Sequence, residues 1–205
     1  MILYYAPGSC AIASHIALQE SGLTYDTRRL DFRRNEQRSA DYLAINPKGR
    51  VPALVTARGI ITETPAILAF IAHSAPAAGL APLNDPFRFA QMQAFNSYLC
   101  STVHVAHAHR FRGSRWTDDP AAIEALKVKV PQNMADCFQL IEDGMLEGPW
   151  VLGDLYSIAD IYLYVLSTWL EGDGVDIRRF PKLKAFHDQM AARPSIQKVE
   201  AAHRA

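Results

Sequence analysis

The stretch AINPKGRVPAL, residues 44–54, decides how the N-terminal part of the chain folds. It ends a short helix at Asn46 and turns before Pro52, which stands directly ahead of an apolar strand, where proline is tolerated. If the Val51–Pro52 bond is cis, the N–H and C=O of Val51 point outward and can pair with an extended peptide. An ordinary trans bond at the start of a strand is the alternative.

The segments on either side alternate between strands and helices. The order β-α-β-α-β-β-α over about 75 residues indicates a compact α/β domain that ends in a hairpin. Its first helix is capped by Ser9 and stopped by Gly22. Residues 75–86, rich in Ala, Pro and Gly, read as a linker. The strands are predicted at residues 2–5, 24–30, 53–56 and 60–61, and the helices at 9–21, 39–45 and 62–75.

Beyond this linker the apolar spacing is helical, and no strand pattern occurs after about residue 61. Pro131 either starts a new helix or kinks the one that contains it. We therefore predict two domains, residues 1–77 and an all-helical domain at 86–205. The predicted helices of the second domain are 87–112, 119–144, 157–170, 180–192 and 195–202.

The charge balance and the apolar runs exclude several classes of function. With 21 basic and 21 acidic residues the net charge is zero, which argues against nucleic acid as a partner. The first residues lack the features of a signal peptide, and no apolar run reaches the roughly 18 residues of a membrane span. We therefore expect a cytoplasmic protein with no membrane partner. In that compartment Cys10, Cys100 and Cys137 are expected to be thiols.

Cys10 is the first candidate for chemistry. It stands at the start of the first predicted helix, where free N–H groups and the helix dipole favour a thiolate. Ala13 excludes a Cys-x-x-Cys pair, so disulfide chemistry would need an outside thiol. The alternative is that Cys10 is a small buried apolar residue, as most free cysteines are.

Glu63 and Thr64 are the second candidates. Thr64 precedes Pro65 and is predicted to cap the third helix. The start of a helix can bind a carboxylate, and Glu63 beside it can accept from an ammonium group, so the pair suits the head of an amino acid. A capped helix with one exposed acid is the alternative.

Three stretches stand in the order found in the thioredoxin-like domain of glutathione transferases. Residues 4–10 (YYAPGSC), 44–54 and 62–67 (TETPAI) resemble the bacterial beta-class members of this cytosolic family. Residues 153–160 (GDLYSIAD) resemble the family's capping box before its central buried helix. The resemblance covers essentially the whole chain. It implies an α/β thioredoxin-like N-terminal domain plus an all-α C-terminal domain, the glutathione transferase architecture.

The resemblance implies that residues 1–77 bind glutathione as co-substrate and that 86–205 supply the electrophile site. The Val51 backbone would pair with the cysteinyl part, while Glu63 and Thr64 would hold the γ-glutamyl head. His104 and His107 have a spacing that can bind a metal, but no third ligand is evident, so no metal is expected. The implied glutathione contacts are Cys10, Arg34, Val51, Glu63, Thr64, Ser97 and His104, with Cys10 and His104 as catalytic residues.

The sequence departs from the family pattern at three positions. Relatives often carry serine at Ala11, asparagine at Ser97 and lysine at Val105, so fewer polar groups are expected near the sulfur. Asn96 is one residue away from Ser97, and one residue turns a helix by about 100°, so Asn96 is expected to point elsewhere. The residues predicted to line a distinct electrophile pocket are Tyr5, His107, Arg112 and Trp116.

These observations lead to one main function and two alternatives. The main one is a detoxifying glutathione transferase, a homodimer that delivers the glutathione thiolate to a small-molecule electrophile. The first alternative is a glutathione-dependent disulfide or peroxide reductase that uses Cys10 as its redox thiol. The second is a non-catalytic ligand-binding protein of the same fold.

Overall fold

A mixed four-stranded sheet forms the start of the chain. The computed structural model describes residues 1–204. The strands are β1 (Ile2–Tyr5), β2 (Asp26–Arg29), β3 (Ala53–Thr56) and β4 (Gly59–Thr62). Their order in the sheet is β2-β1-β3-β4, with β1 and β2 parallel and the other neighbours antiparallel. Leu3 and Tyr5 of β1 are buried, because alternate residues of a strand point to the same face.

Helices make up most of the remaining described residues. They are α1 (Ala11–Ser21), α2 (Ala40–Ile45), α3 (Thr64–Ser74), α4 (Pro86–Tyr98), α5 (His104–Arg112), α6 (Pro120–Leu140), α7 (Ile158–Ser167), α8 (Pro181–Ala191) and α9 (Pro194–Arg204). Two π-helical segments, Leu99–Val103 and Ile141–Met145, follow α4 and α6. None of the helices in residues 1–204 is both long and apolar enough to cross a membrane.

The chain divides into two compact units. The sheet unit comprises Met1–Phe89 and the residues from Ala191 on, and the helical unit comprises Ala90–Met190. Together they confirm the predicted fold class of an α/β domain followed by helices. The predicted domain bounds, residues 1–77 and 86–205, stay a prediction.

The core of the sheet unit lies between β1, β3 and the helices α1 and α3. Its fully buried side chains include Leu3, Ile16, Leu54, Ile67 and Ile71. As predicted, α1 stops at Gly22, whose φ of 71° is a conformation that glycine adopts without steric cost.

The C-terminal helix α9 packs against α1 within the sheet unit. Oε1 of Glu20 on α1 accepts from Nη2 of Arg193 at 3.0 Å and from Oγ of Ser195 at 2.5 Å. Further along the same pair of helices, Nδ1 of His15 lies 3.0 Å from Nε2 of His203, and both side chains are buried. Helix α9 is thus part of the sheet unit's core.

The predicted capping box starts the central helix of the helical unit. Oγ of Ser157 accepts from the Ala159 N–H at 3.2 Å, and Oδ2 of Asp160 accepts from the Ser157 N–H at 2.7 Å. Oδ1 of Asp160 also accepts from the Val151 N–H at 2.7 Å, which ties the preceding loop to the helix. All ten residues of α7 are buried, so this prediction of a central buried helix is confirmed.

The predicted helix cap at Thr64 and the possible helix start at Pro131 are wrong. Thr64 does not cap α3: it is the helix's first residue and is buried, and the cap position belongs to Glu63. Pro131 neither starts nor ends a helix, since α6 runs through it. A proline removes the hydrogen bond to the carbonyl four residues earlier, which is that of Lys127. Lys127 is exposed, so water can satisfy this carbonyl at little cost.

Candidate active site

Cys10 occupies the cap position of α1, just after β1 and a short turn. Its side chain is 6% exposed, and its Sγ donates a weak hydrogen bond to the Val51 carbonyl oxygen at 3.7 Å. The predicted cap at Ser9 is therefore wrong by one residue, although the hydroxyl of Ser9 accepts from the Ala11 N–H at 3.3 Å just before the helix. The thiol therefore lies beside the N–H groups at the beginning of α1, an environment that favours a nearby anion.

The Val51–Pro52 peptide bond is cis. The Arg50 carbonyl just before it accepts from the Tyr42 hydroxyl and from Nδ2 of Asn46, both at 2.6 Å. No described residue accepts a hydrogen bond from the Val51 N–H. The loop thus holds a free backbone donor beside the Cys10 thiol. Tyr42 and Asn46 position this loop, and only Asn46 had a sequence signal, as the end of the preceding helix.

Gly49 is required in the loop before Pro52, at the point where that loop passes close to residues 37 and 38, which precede α2. Its φ is 60°, and an added Cβ would lie 2.9 Å from the Gln37 carbonyl oxygen and 2.9 Å from Nη1 of Arg38. A side chain at this position would collide with backbone as well as with a flexible guanidinium. The glycine therefore lets two segments of the sheet unit come close together.

Glu63 is held at the start of α3 in a left-handed conformation, with φ of 73°. Its carboxylate forms an ion pair with the Lys48 ammonium group, which also donates to Oγ1 of Thr62 at 2.7 Å. The sequence did not predict this role for Lys48. An ammonium group that binds Glu63 has to share the carboxylate with Lys48 or replace it.

Arg34 lies in a short 3-10 turn after β2, and its side chain is 77% exposed. Nη1 of Arg34 is 3.9 Å from Oε1 of Glu36. Its neighbour Arg33 pairs with Asp31 at 3.3 Å and is exposed as well. Exposed pairs of this kind contribute little to stability, so both guanidinium groups can be redirected toward a ligand carboxylate at small cost.

The helical face predicted for Ser97 has to be corrected. A π turn contains one residue more than an α turn, so Leu99–Val103 shifts the face of the helix by about 100°. Seven-residue spacing therefore does not place Ser97 on the face of His104, whereas the eight-residue spacing of Asn96 does. Asn96 is fully buried and its Oδ1 has no hydrogen-bond partner among the described residues, while Ser97 is exposed.

His104 and His107 both contact one indole in the helical unit. The His104 ring meets Trp169 edge-on at 5.0 Å, and the His107 ring stacks on it at 4.1 Å. Nδ1 of His107 lies 2.7 Å from Oδ2 of Asp173. Trp169 and Asp173 had no motif to mark them in the sequence. Within residues 1–204 no group of three or more histidine, cysteine, aspartate or glutamate side chains is placed to hold a metal ion.

The other residues predicted to line the electrophile pocket differ in their burial and in the side chains that they contact. Tyr5 is only 6% exposed, and its ring packs against His203 at 4.4 Å within the sheet unit. Arg112 ends α5 and is half-buried, and Trp116 is 46% exposed and packs edge-on against His109 at 4.3 Å. Their role in an electrophile pocket stays a prediction.

Comparison with known proteins decides the family. The model for the N-terminal domain of glutathione S-transferases matches residues 1–73, and the model for the C-terminal domain matches residues 108–203. Glutathione S-transferase GstA of Escherichia coli O157:H7 is 32% identical over 200 residues, which cover 96% of each chain. The chain belongs to the glutathione S-transferase family.

Solved structures of other glutathione S-transferases agree closely with this fold. A glutathione transferase homolog from Sulfitobacter, solved with bound glutathione, is 48% identical, covers 98% of this chain and 97% of its own, and superimposes with a TM-score of 0.95. The bacterial beta-class enzyme of Sphingomonas chungbukensis is 32% identical over 99% of this chain and 98% of its own, with a TM-score of 0.86. The beta-class resemblance of the motifs is thus confirmed, and the family favours the transferase over both alternatives.

Proposed function

We propose that this glutathione S-transferase binds glutathione in its sheet unit and delivers the thiolate to small electrophiles. The observation that carries the proposal is the free Val51 N–H beside the Cys10 thiol, which is 3.7 Å from the Val51 carbonyl oxygen. An extended peptide can pair with that backbone as an added strand would. The cysteinyl part of glutathione then lies with its sulfur next to Cys10 and the start of α1.

The same segment supports activation of the thiol. The N–H groups at the start of α1 stabilise an anion on the glutathione sulfur, and the Cys10 thiol does so once its single hydrogen turns from the Val51 carbonyl oxygen to that sulfur. A pKa lowered by about two units from the ordinary thiol value leaves most of the sulfur ionised near neutral pH. In this mechanism Cys10 donates a hydrogen bond and does not act as the nucleophile.

The start of α3 supplies the remaining contacts of the proposal. Glu63 accepts from the γ-glutamyl ammonium group, and the backbone N–H groups at Thr64 and beyond bind its carboxylate. Arg34 is proposed to pair with the other end of the tripeptide. The roles of Ser97 and His104 toward glutathione stay predictions.

Glu63→Ala is expected to weaken glutathione binding about tenfold or more, because a charge-assisted hydrogen bond contributes roughly 1.5 to 3 kcal/mol. Isothermal titration calorimetry with glutathione measures the effect. Glu124→Ala is the matched control, since Glu124 is an exposed acid of α6 that pairs with Lys127 at 3.3 Å. An unchanged dissociation constant in the Glu63 variant would remove Glu63 from the site. Failure of the unaltered protein to bind glutathione would refute the proposed function itself.

Cys10→Ala is expected to reduce conjugation of a chlorinated aromatic electrophile by no more than about tenfold, because it removes one hydrogen bond of about 1 kcal/mol. The same variant is assayed with a small mixed disulfide. Loss of only disulfide reduction would assign Cys10 to a redox side activity, and an equal survival of both activities would remove it from catalysis. Activity with neither substrate in the unaltered protein, despite glutathione binding, would point to a ligand-binding protein.

The quaternary structure and location are part of the proposal as well. We propose a cytoplasmic homodimer, as expected from the family resemblance. Sedimentation equilibrium is expected to give twice the chain mass of 22.8 kDa. A mass equal to that of one chain would contradict the dimer and would leave the proposed glutathione site in place.

A further inference from the structure

Lys48 supplies a positive charge at the site proposed for the γ-glutamyl head of glutathione. Its ammonium group forms an ion pair with the Glu63 carboxylate and donates to Oγ1 of Thr62 at 2.7 Å. The Lys48 N–H donates to Oδ1 of Asn46 at 3.2 Å, and Asn46 is buried. The backbone of Lys48 is therefore fixed, while its side chain reaches from the turn before β3 to the end of β4.

The ion pair between Lys48 and Glu63 is open to solvent. The Lys48 side chain is 42% exposed and the Glu63 side chain is 61% exposed. Because exposed ion pairs contribute little to stability, a second ammonium group can take the place of Lys48 on Glu63 at small cost. The flexible four-carbon stem then keeps the displaced ammonium group close to the start of α3. Binding of a ligand ammonium group to Glu63 thus frees a cation beside this helix.

The start of α3 offers few donors for a ligand carboxylate. A helix leaves its first N–H groups without intrahelical acceptors, and these groups can bind an anion. Pro65 is the second residue of α3 and has no N–H, so one of these donors is missing. A carboxylate accepts about four hydrogen bonds, so the N–H groups of Thr64 and Ala66 leave room for a bond from Lys48.

We propose that Lys48 selects the complete amino-acid head of glutathione by exchanging its partner. It leaves Glu63 to the ligand's ammonium group and pairs with the ligand's α-carboxylate. This inference rests on the proposed transferase function and adds a specificity-determining residue to the same site. A ligand with both charges replaces one ion pair by two, whereas a ligand with only the ammonium group displaces Lys48 and offers it no new partner. The exchange therefore disfavours ligands that lack the α-carboxylate.

Two ligands separate this role from a structural one. The first is glutathione, and the second is 4-aminobutyryl-cysteinylglycine, which is glutathione without its α-carboxylate. Lys48→Met is expected to weaken glutathione binding about tenfold, because a charge-assisted hydrogen bond to the carboxylate is lost. The same variant is expected to bind the 4-aminobutyryl peptide about two- to fivefold more tightly, because no ammonium group competes for Glu63. Isothermal titration calorimetry, with displacement titrations for the weaker ligand, measures both dissociation constants.

Two further variants serve as controls. Lys48→Arg keeps the cation and should bind glutathione within about threefold of the unaltered protein, which Lys48→Met should not. Arg58→Met removes another exposed cation of the sheet unit, at the far end of β4 from Glu63. It should leave the dissociation constants of both ligands unchanged.

Weaker binding of both ligands by the same factor in Lys48→Met would mean that Lys48 only ties two turns together, and would overturn the proposal. So would unchanged binding of glutathione, or an unchanged affinity for the 4-aminobutyryl peptide, which would show that Lys48 does not compete for Glu63. Melting temperatures show whether a loss comes from unfolding, which would weaken the binding of both ligands alike. Failure of the proposed function would appear differently, as no glutathione binding by the unaltered protein.

Discussion

Between pH 7.5 and 5, His15 and His203 are expected to lower the free energy of unfolding by about 2 to 4 kcal/mol. Burial lowers the pKa of His15 to about 4, with a smaller contribution from the Lys198 charge. Burial also lowers the pKa of His203 to about 4, helped by His15 and Arg29. The two rings share one hydrogen bond of 3.0 Å, so protonation of either places a charge inside the sheet unit.

The sign of the effect follows from these lowered pKa values. The unfolded chain binds protons at the ordinary histidine pKa of about 6.5, whereas the folded pair stays neutral until about pH 4. The stability is fully present above pH 6.5 and is lost as the pH falls from there toward 4. Burial raises the pKa of Asp160 to about 7, which acts in the opposite direction over this range. The contribution of the histidines is therefore measured as a difference between proteins that both contain Asp160.

The measurement compares urea unfolding of the unaltered protein with that of the double variant His15→Gln and His203→Gln. Glutamine does not titrate and keeps a hydrogen bond possible between the two positions. On going from pH 7.5 to 5, the change in the free energy of unfolding should be about 2 to 4 kcal/mol more favourable to the folded state in the double variant than in the unaltered protein. His73→Gln is the control, since His73 is an exposed histidine of α3. An identical pH dependence in the double variant and the unaltered protein would contradict the expectation.

Asp160→Ala is expected to lower the free energy of unfolding by about 3 to 5 kcal/mol. The variant leaves the N–H groups of Val151 and Ser157 buried without an acceptor, and each such group costs about 1 to 3 kcal/mol. The loss of the helix cap adds to this. Urea unfolding at pH 8, where the carboxyl group is ionised, measures the effect.

A second aspartate at the start of a helix provides the matched control. Asp119 caps α6 and accepts from the Ala121 N–H at 2.9 Å, but it is exposed, so water can replace it. Asp119→Ala should cost about 1 kcal/mol. If both variants lose a similar free energy of unfolding, burial of the Asp160 hydrogen bonds does not increase their contribution to stability, and the expectation is contradicted.

Features set by neighbouring residues could be predicted from the sequence. The pattern of residues 153–160 predicted the capping box of α7, and Gly22 marked the end of α1. These signals are local, because a cap or a turn is made by residues within a few positions of one another. The order of strands and helices followed from the same kind of local spacing.

Other features depend on the whole fold. His15 and His203 are 188 residues apart, and His107 and Asp173 are 66 apart, so no spacing rule connects either pair. Lys48 reaches Glu63 only because the turns before β3 and after β4 meet. The π turn Leu99–Val103 could not be predicted either, because the apolar pattern around it is compatible with an ordinary α-helix.

The π turn lets this helix hold one extra residue without changing which side chains share a face. One residue fewer within Leu99–Val103 would restore uninterrupted α-helical winding and would leave His104 and His107 against Trp169, while the spacing from Asn96 to His104 would fall from eight residues to seven. A lineage that gained or lost that residue would therefore change the spacing between residues of one helical face without a single substitution. Residue-by-residue transfer of site assignments along this helix should accordingly count insertions before it counts identities.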